Sequence, residues 1–163
     1  MAQQSDEIPE VLCTLERAIE ELMKPHLKPE YIGGEGGYSY YEIRDVPSSE
    51  SDLSFPPRCV NLALYTAEKA ETDQPIVEFI FTPGTYNHGQ NIFVSEVKAI
   101  AALGERLESL SELNNKGLVA DYFEVNEGTL EMYARYSGDL FLNDARREEA
   151  NKVISEVKGY LCK

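Results

Sequence analysis

Tryptophan is absent from this 163-residue chain, histidine occurs twice, and cysteine occurs three times with no CxxC pair. Each scarcity closes off a class of chemistry. With only His26 and His88 available, a two-histidine metal site needs both to converge. No carboxylate or cysteine stands at ligand spacing from either, so neither a metal nor any other cofactor is expected. Cys13, Cys59 and Cys162 are odd in number, which suits a reducing compartment; Cys13 and Cys59 are read as buried thiols rather than disulfide partners. No apolar run approaches the roughly 18 residues of a membrane-spanning helix. No basic, apolar and small-residue leader opens the chain, so a secretory signal is not expected and the cytoplasm is the expected location.

Positive charge is also scarce. Lys and Arg number 15 against 29 Asp and Glu, a net charge of -14. Residues 1–57 hold 12 acids and 4 bases, so the acidity runs along the chain and is not a tail. A field of that sign repels nucleic acid and anionic membrane surfaces, and neither nucleic acid nor membrane insertion is expected. Net charge of this size also keeps a protein soluble without any partner.

What is present suits one domain spanning residues 1–163. The 42% hydrophobic and 27% charged fractions are ordinary for a globular chain, which at this length buries a core without metal or disulfide staples. Ile8, Val11, Leu12, Leu15, Ile19 and Leu22 recur at helical steps, predicting a helix over Ile8–Met23 that Pro25 ends. Gly33, Gly34, Gly36 and Gly37 read as a flexible connector over 33–37, and Tyr38–Asp45 alternates as a strand. Val46–Pro57, rich in proline and serine, reads as a long loop over 46–57.

Cys59–Thr66 and Ile76–Thr82 are two further strands, the second apolar on both faces and so either central or covered. The period then changes to 3.6 over Phe93–Asn114. Leu118–Val125 and Thr129–Tyr136 read as a hairpin across Asn126-Glu127-Gly128, and Asn143 caps a last helix over Asp144–Leu161. The expected fold is α+β, in the order α-β-β-β-α-β-β-α, with an antiparallel five-stranded sheet packed by helices on one face. Val60, Leu62, Leu64, Phe79, Leu130 and Met132 mark the inner face.

Catalytic constellations are not apparent. The glycine run precedes a strand, contains Glu35 and lacks a lysine, unlike a phosphate loop, which feeds a helix N-terminus. Residues 82–91 form the densest polar cluster, and Thr85, Asn87 and His88 are its candidate pocket residues. Pairing His88 with Thr85 is too local for a nucleophile and its positioned base, and turn chemistry also explains this composition. Asp121 falls in phase with Val119, Phe123 and Val125, which makes it either a buried acid in need of a partner or a strand-end residue reaching solvent.

Alternation leaves a second sheet face rich in tyrosine. Tyr38, Tyr40, Tyr65, Tyr122 and Tyr133 fall opposite the core-facing residues, together with Glu42, Arg44, Ile76, Ile80 and Arg135. Tyrosine and arginine combine large contact area with a polar handle, which enriches them at binding hot spots. Tyr40, Tyr65, Ile80, Tyr122, Tyr133 and Arg135 are therefore the candidate partner-binding residues. Tyrosine is also a good strand former, and a merely solvated face has the same composition.

The helix Ile8–Met23, the meander Tyr38–Thr82, the helix Phe93–Asn114, the hairpin Leu118–Tyr136 and the helix Asp144–Leu161 together resemble the secretion chaperone-like fold. That group includes type III secretion chaperones and YbjN-like bacterial proteins, and the resemblance runs from Ile8 to Leu161. More narrowly, the chain is similar to a cyanobacterial family placed in this superfamily. The resemblance implies a non-enzymatic, chaperone-like or adaptor domain that binds a protein partner through the sheet face or a helix groove and often forms a homodimer. It carries no short motif, so no functional residue transfers. The alternative expectation is a small-molecule sensor or cryptic enzyme with its pocket near residues 82–91.

Overall fold

The computed structural model describes residues 8–45, 58–86, 91–92, 94–110 and 131–161. Helix α1 spans Glu10–Met23, and Leu12, Leu15, Ile19 and Met23, at helical steps along one face, are fully buried. Pro9 stands at its N-cap, where its carbonyl accepts the Leu12 and Cys13 N–H groups. Strand β1 (Leu27–Glu35) follows, then β2 (Tyr38–Asp45) and β3 (Cys59–Tyr65). A short helix, α2 (Ala67–Ala70), leads to β4 (Ile76–Thr82). The two-residue strands β5 (Thr85–Tyr86) and β6 (Asn91–Ile92) pair with each other. Helix α3 (Val94–Leu110), strand β7 (Met132–Ser137), helix α4 (Asp139–Leu142), a 3-10 turn (Asp144–Arg146) and helix α5 (Arg147–Leu161) complete the described chain.

The fold is α+β, and the described residues form a five-stranded antiparallel sheet in the order β1-β2-β3-β4-β7. The expected strand Leu118–Val125, its turn Asn126-Glu127-Gly128 and Leu130 lie outside the described residues, as do the 46–57 loop, Phe93 and the helix end at Asn114. The strand that completes the described sheet is β1, where a linker was expected.

The glycine run is correspondingly not a connector. Gly33, Gly34 and Glu35 end β1, and Gly36-Gly37 turn the chain into β2, with Glu35 paired to Tyr38. Gly36 has φ +61, a conformation that a side chain disfavours. At Gly34 a Cβ would collide with the Tyr38 carbonyl oxygen, so the hairpin closes only without it. β1 escapes the alternation test because it is an edge strand of the described sheet. Leu27 and Pro29 are buried and Lys28 and Glu30 exposed, but from Tyr31 onward both sides are open and a bulge shifts the register between Tyr31 and Gly33. Charged residues, a proline and a bulge are the usual protection of such an edge against pairing with other chains.

One sheet face carries the core. Ser39, Tyr41 and Ile43 of β2, Val60, Leu62 and Leu64 of β3, Val77, Phe79 and Phe81 of β4, and Met132, Ala134 and Tyr136 of β7 are all buried and share it by register. The buried apolar residues of α1, α3, α4 and α5 belong to the same cluster, which puts the helix packing on this face. Asn143 does cap the last helical segment: its side chain accepts the Ala145 N–H at 3.0 Å in the 3-10 turn that feeds α5. The apolar stripe of α5 ends on Tyr160, which is 4% exposed, with Leu161 only partly buried beside it. Cys13 and Cys59 are free thiols, and each is only partly buried, against the expectation of fully buried ones.

The core holds hydroxyls with no hydrogen-bond partner among the described residues, including those of Tyr136 and Tyr160. Burial pushes both phenols up from their ordinary range near 10 and Tyr41 up to about 12. An acid whose folded pKa is raised stabilises the fold below its unfolded pKa, and that contribution is lost as pH climbs through the folded value. Unfolding free energy should therefore fall as pH rises above about 10. Urea melts followed across that range check it; a flat profile would contradict the burial of these rings. Tyr136→Phe removes an unpaired buried hydroxyl and keeps the ring, so it should be neutral or stabilise by up to about 1 kcal/mol. Thermal melts read this directly.

Candidate functional site

The opposite face of the sheet is built by the alternate residues of the same strands. Register places Tyr38, Tyr65, Ile76 and Ser137 in one row across β2, β3, β4 and β7. The next row is Tyr40, Ala63, Glu78 and Arg135, and the third is Glu42, Asn61, Ile80 and Tyr133. Ala63, Ile76 and Ile80 are buried, yet none belongs to the helix-packed core cluster. Tyr38, Tyr40, Tyr65, Tyr133 and Arg135 around them remain partly exposed.

The centre of this face is polar. Glu78 is 6% exposed, and its two carboxylate oxygens have different partners. The Tyr65 hydroxyl donates to Oε1 at 3.0 Å, and Arg135 Nε donates to Oε2 at 3.2 Å. The Arg135 guanidinium also lies over the Tyr65 ring, 5.8 Å from its centroid, and the Tyr65 ring stands 5.1 Å from that of Tyr38. At one margin the Tyr133 hydroxyl donates to Glu131 at 2.7 Å. A buried carboxylate is tolerated only when paired and hydrogen-bonded, and here one cation and one phenol meet that need.

Of the partner-binding residues expected from the sequence, Tyr40, Tyr65, Ile80, Tyr133 and Arg135 share this face. Tyr122 and Asp121 lie outside the described residues. Ile80 is 7% exposed, so it supplies the floor of the face and not a contact surface. Glu78, which organises the centre, was not singled out. Its signal was a lone acid in an otherwise apolar strand, two residues from Ile76 and two from Ile80.

The Tyr65 phenol is pushed up by burial and by the Glu78 carboxylate beside it, which makes it a poor proton donor or acceptor near neutral pH. Among the described residues no group of three or more His, Cys, Asp or Glu is placed to hold a metal ion. No described helix is long and apolar enough to cross a membrane.

The second expected region is only partly visible. Thr85 sits in β5, paired with Ile92, whereas Asn87 and His88 lie outside the described residues. What the structure shows just before it is a clasp. Arg58 makes a two-pronged ion pair with Glu96 (2.8 and 3.1 Å), and Gly84 N–H donates to the same carboxylate at 3.1 Å. Arg58 also donates to the Tyr160 carbonyl at 2.9 Å and lies 4.6 Å from the Tyr160 ring centroid. The start of β3, the first turn of α3, the chain after β4 and the last turn of α5 are thereby tied at one point.

A groove of about 210 Å³ runs between α1, α4 and α5, lined by Ala18, Leu22, Phe141 and Ala150 with Glu21, Asn143 and Arg147. Leu142 beside it is 38% exposed. In comparisons with protein-family models, with curated proteins and with solved structures, nothing matches this chain.

Proposed function

We propose that this chain is a non-enzymatic protein-binding domain, chaperone-like or adaptor in type, which contacts a protein partner through the tyrosine-bearing sheet face. The observation that carries this reading is the arrangement of that face. Helices pack on one side of the sheet, while Tyr38, Tyr40, Tyr65, Tyr133 and Arg135 stay partly exposed on the other, around a hydrogen-bonded Glu78. Aromatic rings and an oriented guanidinium on a flat surface are what protein interfaces use as anchors. A small-molecule site favours an enclosed cavity, whereas these side chains are spread across the sheet from β2 to β7. The resemblance to secretion chaperones, which rests on element order alone, points the same way.

The test compares proteins recovered from source-cell extract by the wild-type chain, by Tyr40→Ala/Tyr133→Ala and by Leu22→Ala in the helix groove. The expected result is a specific partner, or a second copy of this chain, that is retained by Leu22→Ala and lost by the tyrosine double variant. Retention by the double variant and loss by Leu22→Ala would move the site to the groove.

A further inference from the structure

The geometry points to Arg135 as the anchor for a side-chain carboxylate, an aspartate or glutamate within an extended, otherwise apolar or aromatic segment of the partner. This rests on the sheet-face reading and names the partner's chemistry. Arg135 Nε is committed to Glu78, but its two Nη nitrogens have no hydrogen-bond partner among the described residues, and 35% of the side chain stays exposed. The guanidinium is held by the carboxylate on one side and the Tyr65 ring on another, so its free donors are fixed before a partner arrives. A planar fork fixed in advance is complementary to a carboxylate, which it binds through two parallel hydrogen bonds. Preorganisation removes much of the ordering entropy that an exposed arginine otherwise loses on binding.

The neighbours of Arg135 decide where in the partner that carboxylate stands. Arg135 occupies the middle row, between the row of Tyr38 and Tyr65 and the row of Tyr133. Aromatic surface therefore lies to one side of the anchor on its own strand, at Tyr133, and to the other side diagonally across the sheet, at Tyr65 and Tyr38. An acid inside a segment, with apolar or aromatic residues before and after it, meets rings on both sides; a chain terminus meets them on one. The net charge of -14 opposes an acidic partner at long range. Screening over about 8 Å at physiological salt confines that opposition, leaving the contact itself to decide affinity.

The experiment is a titration of the isotope-labelled full chain, read by NMR at the Arg135 side-chain Nε–H and at the amides of β4 and β7. The first probe is an acetylated, amidated heptapeptide with aspartate at its centre and leucine and tyrosine on either side. The second carries asparagine in its place, and the third carries the asparagine with a free C-terminal carboxylate. The aspartate peptide should bind about tenfold more tightly than the asparagine peptide and shift the Arg135 signal, as a charge-assisted hydrogen bond pair implies. Arg135→Lys, which keeps the charge on β7 and loses the fork, should reduce that preference in a chain whose spectrum stays dispersed.

Equal affinities, with shifts spread over the tyrosine face, would overturn the carboxylate anchor and leave the face reading standing. A third peptide matching the aspartate peptide would overturn the internal position. Shifts confined to the α1, α4 and α5 groove, or no binding by any of the three, would overturn the anchor; the groove result would overturn the sheet-face reading with it.

Discussion

Replacing Arg58 by alanine is expected to lower the unfolding free energy by about 3 kcal/mol at neutral pH, because it strands the Glu96 carboxylate in a mostly buried site. Glu96 keeps only 17% of its side chain exposed, and Arg58 supplies two of its hydrogen bonds. Burial alone would push the Glu96 carboxyl up. Hydrogen bonds from Arg58 and the Gly84 N–H, with the guanidinium charge, outweigh it and hold the group below its ordinary value of 4.5. A depressed carboxyl stabilises the fold above its unfolded pKa and loses that contribution as pH falls through the folded value. The gap between wild type and Arg58→Ala should therefore be full at neutral pH and shrink as pH falls through the carboxyl range. Urea melts of both chains across acid pH measure this; a gap that does not change with pH would mean that the lost packing on Tyr160 dominates instead.

Phe79→Ala is expected to be more damaging, by about 4 kcal/mol, the range for removing a large buried ring. Phe79 is fully buried in β4, and its ring centroid lies 6.4 Å from those of Phe81 and Tyr136 and 6.2 Å from that of Phe141. The substitution therefore opens a cavity where the sheet meets α4, and the rings around it fit together too closely to refill it. Against a typical total of about 5–15 kcal/mol, such a loss leaves a marginal protein. Tyr133→Ala, on the neighbouring strand β7 and the other face of the sheet, should reduce stability by only about 1 kcal/mol, since it empties no core site. Denaturant midpoints for the pair check the contrast, and similar losses at both positions would contradict a core confined to one face.

Much of this arrangement was legible in the residues, and the exceptions have physical causes. α1, β3 and α5 announce themselves because each buries a regular stripe, and β4 because it is an apolar run buried on both faces; Ile76–Thr82 was placed to the residue. β1 did not, because Lys28, Pro29, Glu30 and the Tyr31–Gly33 bulge give an edge strand no regular alternation. Its glycines, which suggest slack chain, instead make a tight hairpin. The tyrosine face followed from alternation once the strands were assigned. Its organisation did not, since Tyr65, Glu78 and Arg135 are scattered along the chain and meet only through register. The Arg58–Glu96 clasp escaped for the same reason: 38 residues separate the partners, and neither stands in a pattern that marks a pair.

Tyrosine nitration, mapped residue by residue in the free chain and in its complex with the recovered partner, tests the central claim most directly. In the free chain Tyr38, Tyr40 and Tyr133 should react while Tyr41, Tyr136 and Tyr160 are spared, and in the complex Tyr40 and Tyr133 should become protected. A complex that leaves Tyr40 and Tyr133 as reactive as in the free chain would contradict it.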